Sequence, residues 1–257
     1  MSRSQSILFV LGRWSIGGVE RVSVVLANEF ARRGCDVAVA AFGFDNKRLL
    51  ENLDARVAVI ELSDGWYTEA NRRRLRSAVE ERKVAVIINQ WCLPFRTTRF
   101  LRKAVKGLGV RIVAVHHNKP DVNNRICGAG NVFARTFWRI VSRVNLHLVY
   151  GSCDAYVLLS KSFEDVFCRF ACIRDRDKLH CISNPLTIAP VDAGAKENIL
   201  LYVGRLEETQ KKVSRLLEAW SVLARDFPDW RLAIVGDGPD RSFYEGMART
   251  LARVEFY

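Results

Sequence analysis

The stretch SILFVLGRWSIGGVERVSVVLANEFARRGCDVAVAAF, residues 6–42, contains the pattern that decides the fold. It begins and ends with near-continuous apolar runs, 6–11 and 36–42, and such runs are typical of strands buried on both faces of a parallel sheet. Between them, apolar residues recur at helical spacing, which predicts a helix over 18–33 that Gly34 ends. One face of this helix is expected to be mostly apolar and carries Val22, Val25, Leu26, Glu29 and Phe30.

The alternation of strand and helix continues along the whole chain. Further strands are predicted at 56–62, 84–89, 111–117, 155–160 and 178–183, and further helices at 68–82, 94–107, 130–150 and 161–171. A stretch with two prolines and little periodicity follows, and then the pattern restarts with strands at 199–205, 230–238 and 254–257 and helices at 212–226 and 241–252. This order predicts an α/β protein with parallel sheets. The predicted organisation is an N-terminal domain over 1–186, a linker over 187–197 and a partial second domain over 198–257.

The composition is that of a globular protein with a basic surface. The 257 residues are 49% hydrophobic and 26% charged, which excludes global disorder, and the formal net charge is +12. Such a charge attracts phosphorylated small molecules, an anionic membrane face or nucleic acid, or it serves solubility alone. Seven cysteines without a C-x-x-C pair predict buried, reduced thiols in a cytosolic protein. No apolar run approaches the roughly 18 residues of a membrane span, so membrane contact is expected to be peripheral.

Two adjacent glycines, Gly17 and Gly18, lie where the first strand passes into the first helix. Free N–H groups at a helix N-terminus suit a phosphate, and glycine lets a ligand approach the backbone closely. A plain helix start with a flexible loop explains the pair equally well.

Polar and aromatic residues follow two other strands of the first domain. His117, with His116 before it and Asn118 after it, ends the strand at 111–117, where a histidine can donate to a sugar hydroxyl or to a developing charge. Gln90 and Trp91 follow another strand, and an amide beside an aromatic ring suits a sugar or a lipid headgroup, unless Trp91 packs in the core. Ligands of open α/β sheets gather at these carboxyl ends of strands.

The second domain repeats this arrangement with cations. Gly204 and Arg205 end a strand, and Lys211 precedes the next helix, so the two cations could converge on one anion or remain solvated. The glycine loop at 236–239 either closes over a ligand or is a simple turn between strand and helix.

These motifs together resemble one family. The stretches GRWSIGGVERVSVVLANEFARRGCDVAV, HHN, SNPL, YVGRLEETQKKVSRLLEAW and LAIVGDGP are similar to those of family 4 glycosyltransferases. Members are retaining enzymes of the GT-B fold, with two Rossmann-like domains that face each other across a cleft. The resemblance therefore implies one complete and one partial Rossmann-like domain. It also implies transfer of a sugar from a nucleotide-sugar donor to a glycan or lipid-linked acceptor in the biosynthesis of cell-surface polysaccharide or lipopolysaccharide.

The resemblance also implies roles for single residues, with the nucleotide sugar as co-substrate and neither cofactor nor metal. The catalytic residues are expected to be His117, Arg205 and Lys211. The expected donor-binding residues are Gly17, Gly18, Gly204, Arg205, Lys211, Gly236, Asp237 and Gly238. From their own chemistry at the ends of strands, and not from the resemblance, Gln90, Trp91 and Asn118 are the expected acceptor-binding residues.

The chain departs from the family pattern at two places. Lys212 stands where many members have glycine, and the paired glutamates that would follow residue 257 are not in the sequence. We therefore expect a truncated member, or else a catalytically impaired remnant that serves as a binding module. Nucleic-acid binding is suggested by charge alone, without a recognised motif, and is not expected.

Arginines recur every four residues along the helix predicted at 130–150. Arg135, Arg139 and Arg143 form one stripe there, beside Phe133, Phe137, Ile140, Val141 and Val144. A second basic cluster, NRRRLR, lies at 71–76. Docking onto an anionic membrane is one interpretation, and a helix that covers the sheet with its arginines outward is the other. The expected location is cytoplasmic, with peripheral contact to the inner face of the membrane.

Overall fold

The computed structural model describes residues 5–63, 65–120, 132–187, 194–209 and 211–257. The chain divides into two compact units, Met1–Ala189 and Pro190–Tyr257. Of the predicted linker, residues 188–193 lie outside the described ranges, as do residues 130 and 131 of the predicted basic helix. Within those ranges, no helix is both long and apolar enough to span a membrane.

The first unit is built on a seven-stranded parallel sheet, as the sequence predicts. Its strand order is β3-β2-β1-β4-β5-β6-β7. The strands are β1 (Ser6–Leu11), β2 (Asp36–Phe42), β3 (Ala58–Leu62), β4 (Val86–Asn89), β5 (Arg111–His116), β6 (Ala155–Leu158) and β7 (Leu179–Cys181). Strands are therefore added on one side of β1 and then on the other, so the direction of winding reverses between β1 and β4.

Helices connect these strands. They are α1 (Gly18–Arg32), α2 (Glu69–Glu81), α3 (Phe95–Ala104), α4 (Val132–Ser152) and α5 (Glu164–Ala171). Short 3₁₀ helices lie at Arg48–Asn52, which the sequence analysis did not predict, and at Lys161–Phe163, directly before α5. Gly34 ends α1 as predicted, because its φ of +85° allows its N–H and that of Cys35 to bond the carbonyls of Ala31 and Phe30.

The core of this unit lies on both faces of the sheet. Leu8 and Val10 of β1 belong to one buried apolar cluster, whereas Ile7, Phe9 and Leu11 belong to the other. This two-sided burial is the reason for the uninterrupted apolar run.

The predicted buried face of α1 is only partly correct. The residues that α1 buries are Glu20, Val22, Ser23, Val24, Ala27 and Ala31, whereas Val25, Leu26 and Phe30 are only partly buried. Alanine and serine on the inner face let the helix approach the sheet closely, and the larger side chains lie along its margins.

The second unit has a three-stranded parallel sheet with the order β10-β9-β8. Its elements are β8 (Ile199–Val203), α6 (Val213–Leu223), β9 (Arg231–Val235), α7 (Arg241–Ala248) and β10 (Val254–Phe256). Leu217, Trp220, Leu232, Ile234 and Tyr244 are among the residues that form its core. Leu201 and Val203 of β8 are 59% and 69% exposed, so the other face of the sheet carries apolar side chains in solvent.

Candidate functional site

A cavity lies beside the switch point of the first unit's sheet, where ligands of open α/β sheets bind. Its volume is about 380 Å³. It is formed at the carboxyl ends of β4 and β5 together with the start of α1 and one residue of α4. The lining residues are Val19, Gln90, Trp91, Cys92, Leu93, Pro94, Val115, His116, His117, Asn118 and Asn145. The structure thus brings together all four residues that the sequence analysis selected after β4 and β5: Gln90, Trp91, His117 and Asn118.

Trp91 forms one wall of this cavity. Its indole ring packs on the backbone just beyond β1, because a Cβ added at Gly12 would lie only 2.8 Å from Cδ2 of Trp91. The ring is 43% exposed, so it is not a core residue. A half-exposed indole on a rigid backbone offers a flat apolar surface of the kind that packs against a sugar ring.

His117 and Gln90 contact each other across the ends of β4 and β5. Nε2 of His117 lies 2.6 Å from Oε1 of Gln90. Burial lowers the pKa of His117 to about 4, because desolvation disfavours the charged ring. His117 is therefore neutral at physiological pH.

His116 has a structural role. It is 3% exposed, its Nδ1 lies 2.8 Å from the hydroxyl of Tyr156, and its ring packs edge-on against Tyr156 and Phe167. Burial lowers its pKa to about 4, and the neighbouring His117 adds to the shift. Of the adjacent histidines, His117 is the less buried one.

Gly17 and Gly18 lie at the N-terminus of α1, as predicted, but they do not line the cavity. Gly17 is the N-cap, and a Cβ there would lie 2.5 Å from Oε2 of Glu20, whose other oxygen accepts a hydrogen bond from Ser15. A Cβ at Gly18 would meet nothing within 4 Å. The obstacle at Gly17 is the end of a flexible side chain, so packing against backbone requires neither Gly17 nor Gly18.

In the second unit, two loops pack backbone against backbone. A Cβ at Gly236 would lie 2.1 Å from the carbonyl oxygen of Gly204, and one at Gly238 would lie 2.2 Å from that of Leu206. The N–H of Leu206 donates to the carbonyl of Asp237. Both glycines of the 236–239 loop are thus needed to hold the loop after β8 in place, whatever else they contact.

That loop carries the two predicted cations. The side chain of Arg205 is 67% exposed, and its Nε lies 3.3 Å from a carboxylate oxygen of Glu207. Lys211 is exposed as well, and its backbone N–H donates to the carbonyl of Glu207. Lys212 has a left-handed backbone with φ of +50°, which explains why glycine suits this position.

The partly buried carboxylate of Glu208 connects the same loop to α6 and α7. Glu208 accepts hydrogen bonds from the hydroxyls of Ser214 and Tyr244, and the Ser214 bond is the main cause of its lowered pKa. Its backbone N–H donates to Asp240. This support cannot be recognised in the sequence, because the partners lie in two different helices or at their ends.

The first half of α4 does not cover the sheet, so the second interpretation of its basic stripe is wrong for residues 132–144. The apolar side chains at positions 133, 137, 140, 141 and 144 are 38–86% exposed. Packing begins further along the helix, where Leu146, Val149 and Tyr150 are buried.

The arginines of α4 have different surroundings. Arg135 and Arg139 are exposed, whereas Arg143 donates to the carbonyl of Phe170 and lies over its ring. In the NRRRLR cluster of α2, by contrast, Arg72 and Arg73 pair with Glu69 and Arg76 pairs with Glu80, and much of its charge is thereby neutralised.

Asn145 is a cavity residue that sequence reasoning did not find. It lies in the middle of α4, where an amide is usually a surface residue, but its Oδ1 accepts a hydrogen bond from the N–H of Phe95 at the start of α3. It thereby acts as a helix cap supplied by another helix. The described part of the chain contains no cluster of three or more His, Cys, Asp or Glu side chains that could hold a metal ion.

Two glycosyltransferase family models match this chain. The model of Glycosyltransferase Family 4 matches residues 16–189, and that of Glycosyl transferases group 1 matches residues 186–253. An uncharacterized glycosyltransferase of Haemophilus influenzae is 27% identical over 253 residues, which are 95% of this chain and 65% of that protein. The GalNAc-alpha-(1->4)-GalNAc-alpha-(1->3)-diNAcBac-PP-undecaprenol alpha-1,4-N-acetyl-D-galactosaminyltransferase of Campylobacter jejuni is 25% identical over 268 residues, or 97% of this chain and 67% of that protein. This chain therefore spans about two thirds of the length of both relatives.

Among solved structures, a variant of S. aureus TarM in complex with fondaparinux, alpha-GlcNAc-glycerol and UDP is similar, with a TM-score of 0.73. The alignment covers 98% of this chain and 77% of that one at 8% identity, a level that shows the GT-B fold alone.

Proposed function

Because the chain belongs to glycosyltransferase family 4, we propose that it acts as a retaining glycosyltransferase in the assembly of cell-surface polysaccharide or lipopolysaccharide. The donor is a nucleotide sugar and the acceptor a glycan or a lipid-linked glycan. The observation that carries this proposal is the cavity at the switch point, where Trp91, Gln90, His117 and Asn118 meet. An indole ring beside amides and a neutral imidazole is a lining suited to an uncharged, hydroxyl-rich ring.

The cations of the second unit are proposed to bind the donor diphosphate. Arg205 and Lys211 are exposed on a loop that the backbone of residues 236–238 and the side chain of Glu208 hold in place. When the bond between the sugar carbon and the diphosphate oxygen breaks, its electron pair goes to the diphosphate, and fixed cations stabilise that charge. This is the task that a metal ion performs in other enzymes, so the proposal includes no metal.

Relatives support the choice of ligands. The Campylobacter jejuni relative is named for transfer to a sugar chain on PP-undecaprenol, and the TarM structure contains UDP. A lipid-linked acceptor is presented at a membrane surface.

The exposed half of α4 is the proposed membrane contact. Phe133, Phe137 and Ile140 would enter the lipid interface, and Arg135 and Arg139 would meet anionic headgroups. Asn145 of the same helix lines the cavity, so this contact would bring a lipid-linked acceptor near the cavity.

Donor binding is tested by titrating the chain with UDP and with a panel of UDP-sugars, followed by transfer assays with and without EDTA. We expect Arg205→Ala and Lys211→Ala each to lower turnover by about 10²–10³-fold, as loss of one charge-stabilising group does. Lys212→Ala removes a neighbouring charge and is the matched control. Equal losses in all three variants, or loss of activity with EDTA, would contradict the assignment.

Membrane contact is tested by co-sedimentation with phosphatidylglycerol vesicles at low and high salt. The double variant Phe133→Ser/Phe137→Ser should bind vesicles less at both salt concentrations. The double variant Arg135→Glu/Arg139→Glu should bind less mainly at low salt, because salt screens the attraction between charges. The control is Arg225→Glu/Arg249→Glu, which changes two exposed arginines of the second unit by the same charge. Wild-type protein that stays in the supernatant at low salt would refute the proposal.

A further inference from the structure

Gln90 is the most buried polar side chain of the cavity apart from His116. It is 3% exposed, and its backbone N–H donates to the carbonyl of Val10 at the end of β1. Its side-chain Oε1 lies 2.6 Å from Nε2 of His117. Gln90 is therefore held between the ends of three adjacent strands and turns its carbonyl group toward the imidazole.

The chemistry of this contact determines which nitrogen of the ring carries the proton. An amide oxygen can only accept a hydrogen bond, so Nε2 of His117 must donate. In a neutral imidazole the other nitrogen, Nδ1, then has a lone pair and no proton. Within the described ranges, Nδ1 of His117 has no hydrogen-bond partner in the structure, and Nε2 of Gln90 is buried without one.

We infer that Gln90 is a positioning residue that holds His117 in its Nε2–H tautomer and leaves Nδ1 to accept a hydrogen bond from a sugar hydroxyl. The inference rests on the proposed function, which makes His117 a substrate-contacting residue. It also changes the role expected for both residues. Gln90 acts through His117 instead of binding the acceptor itself, and the free nitrogen of His117 accepts where a donor was expected.

Two features of the site favour this arrangement. The ring stays neutral because burial lowers the pKa of His117 to about 4, so protonation of Nδ1 does not compete near pH 7. The bond from the Gln90 N–H to the carbonyl of Val10 fixes the backbone of Gln90, and burial of its side chain limits movement of the amide oxygen away from the ring. Neither feature is visible from the order of residues in the chain.

The first test is an NMR measurement on the complete ¹⁵N-labelled chain at pH 8, without substrate. We expect ring nitrogen shifts of the Nε2–H tautomer for His117 and a slowly exchanging Nε2–H proton. His147 is an internal reference for the opposite tautomer, because its Nδ1 lies 3.0 Å from the carbonyl oxygen of Ala171, which can only accept. The wild-type spectrum is decisive by itself: if it shows the Nδ1–H tautomer at His117, the inference is wrong.

Two variants separate positioning from packing. Gln90→Leu removes the acceptor and should abolish the slow exchange of the Nε2–H proton, whereas Gln90→Glu retains an acceptor and should preserve it. Unchanged exchange in Gln90→Leu would refute the role. If that variant does not fold, the wild-type tautomer and the Gln90→Glu spectrum still decide the question.

Transfer kinetics supply a second readout. A misdirected ring should lower kcat by about 10²-fold in Gln90→Leu, with a smaller loss in Gln90→Glu. Equal kcat losses in both variants would contradict a role through the acceptor atom. Absence of transfer in the wild-type chain would count against the proposed function, whereas the NMR result stands independently of it.

Discussion

Replacing Gly236 with alanine tests the backbone packing that positions the cationic loop. Gly236 has φ of +142°, a region that residues with a side chain rarely adopt, and its Cβ would lie 2.1 Å from the carbonyl oxygen of Gly204. Since the obstacle is backbone, no rotation of a side chain can relieve the clash. The two loops must separate, and this movement weakens the hydrogen bond from the Gly204 N–H to the carbonyl of Val235.

The cost follows from two contributions. A residue held in such a backbone region loses about 1–3 kcal/mol, and forcing atoms into a packed site costs about 1–3 kcal/mol more. Together they predict that Gly236→Ala lowers the free energy of unfolding of the second unit by about 2–6 kcal/mol. Even the lower value is about a 30-fold change in the folded-to-unfolded ratio.

Gly246→Ala is the matched control, because Gly246 lies in α7 and a Cβ there meets nothing within 4 Å. This substitution should stabilise the same unit by about 0.5–1 kcal/mol through helix propensity. Hydrogen exchange with mass spectrometry on the complete chain measures both variants, with peptides from β8 and β9 as reporters and peptides from β1 as the internal reference. Exchange of β8 and β9 in Gly236→Ala within threefold of wild type would refute the reasoning, as would equal destabilisation by both substitutions.

Three further changes test other parts of the structure. Lys212→Gly should raise the free energy of unfolding by about 1 kcal/mol, because it relieves a left-handed backbone, and Lys212→Ala should give no comparable gain in urea unfolding. Burial lowers the pKa of His116 and of His117 to about 4. As pH falls, these histidines are protonated in the unfolded chain before they are protonated in the folded one. The free energy of unfolding should therefore fall as pH decreases from about 6.5 toward 4, by on the order of 2 kcal/mol at pH 5 for His116. Equal urea midpoints at pH 7 and pH 5 would contradict this. Asn145→Ala should cost about 1 kcal/mol and speed exchange of the first N–H groups of α3, since the cap on Phe95 is lost, whereas Asn145→Asp keeps an acceptor and should restore protection.

Much of the architecture could be predicted because the apolar pattern of a strand indicates how many of its faces are buried. After their first residues, Ser6 and Asp36, β1 and β2 are apolar throughout because both faces of the sheet are covered, and their predicted bounds, 6–11 and 36–42, agree with the structure. The ends of strands were less predictable where a strand passes directly into a loop. The strand predicted at 230–238 ends at Val235, where the chain turns into the glycine loop.

The inner face of α1 shows a second limit of sequence reasoning. Apolar periodicity selects large side chains such as Phe30, but the residues nearest the sheet include Ser23, Ala27 and Ala31. Small side chains permit a short distance between helix and sheet, and hydrophobicity alone does not rank them as core residues.

The sequence by itself determined that this protein is a parallel α/β chain with the motifs of family 4 glycosyltransferases, because strand burial, helix period and glycine turns are properties of neighbouring residues. Only the tertiary structure decided which strands lie side by side, and therefore that Gln90 meets His117 at the ends of β4 and β5. It also decided that the apolar side chains of α4 around Phe137 face solvent. The physical reason is that a hydrogen bond or an exposed face depends on what packs nearby, and these partners are distant in sequence.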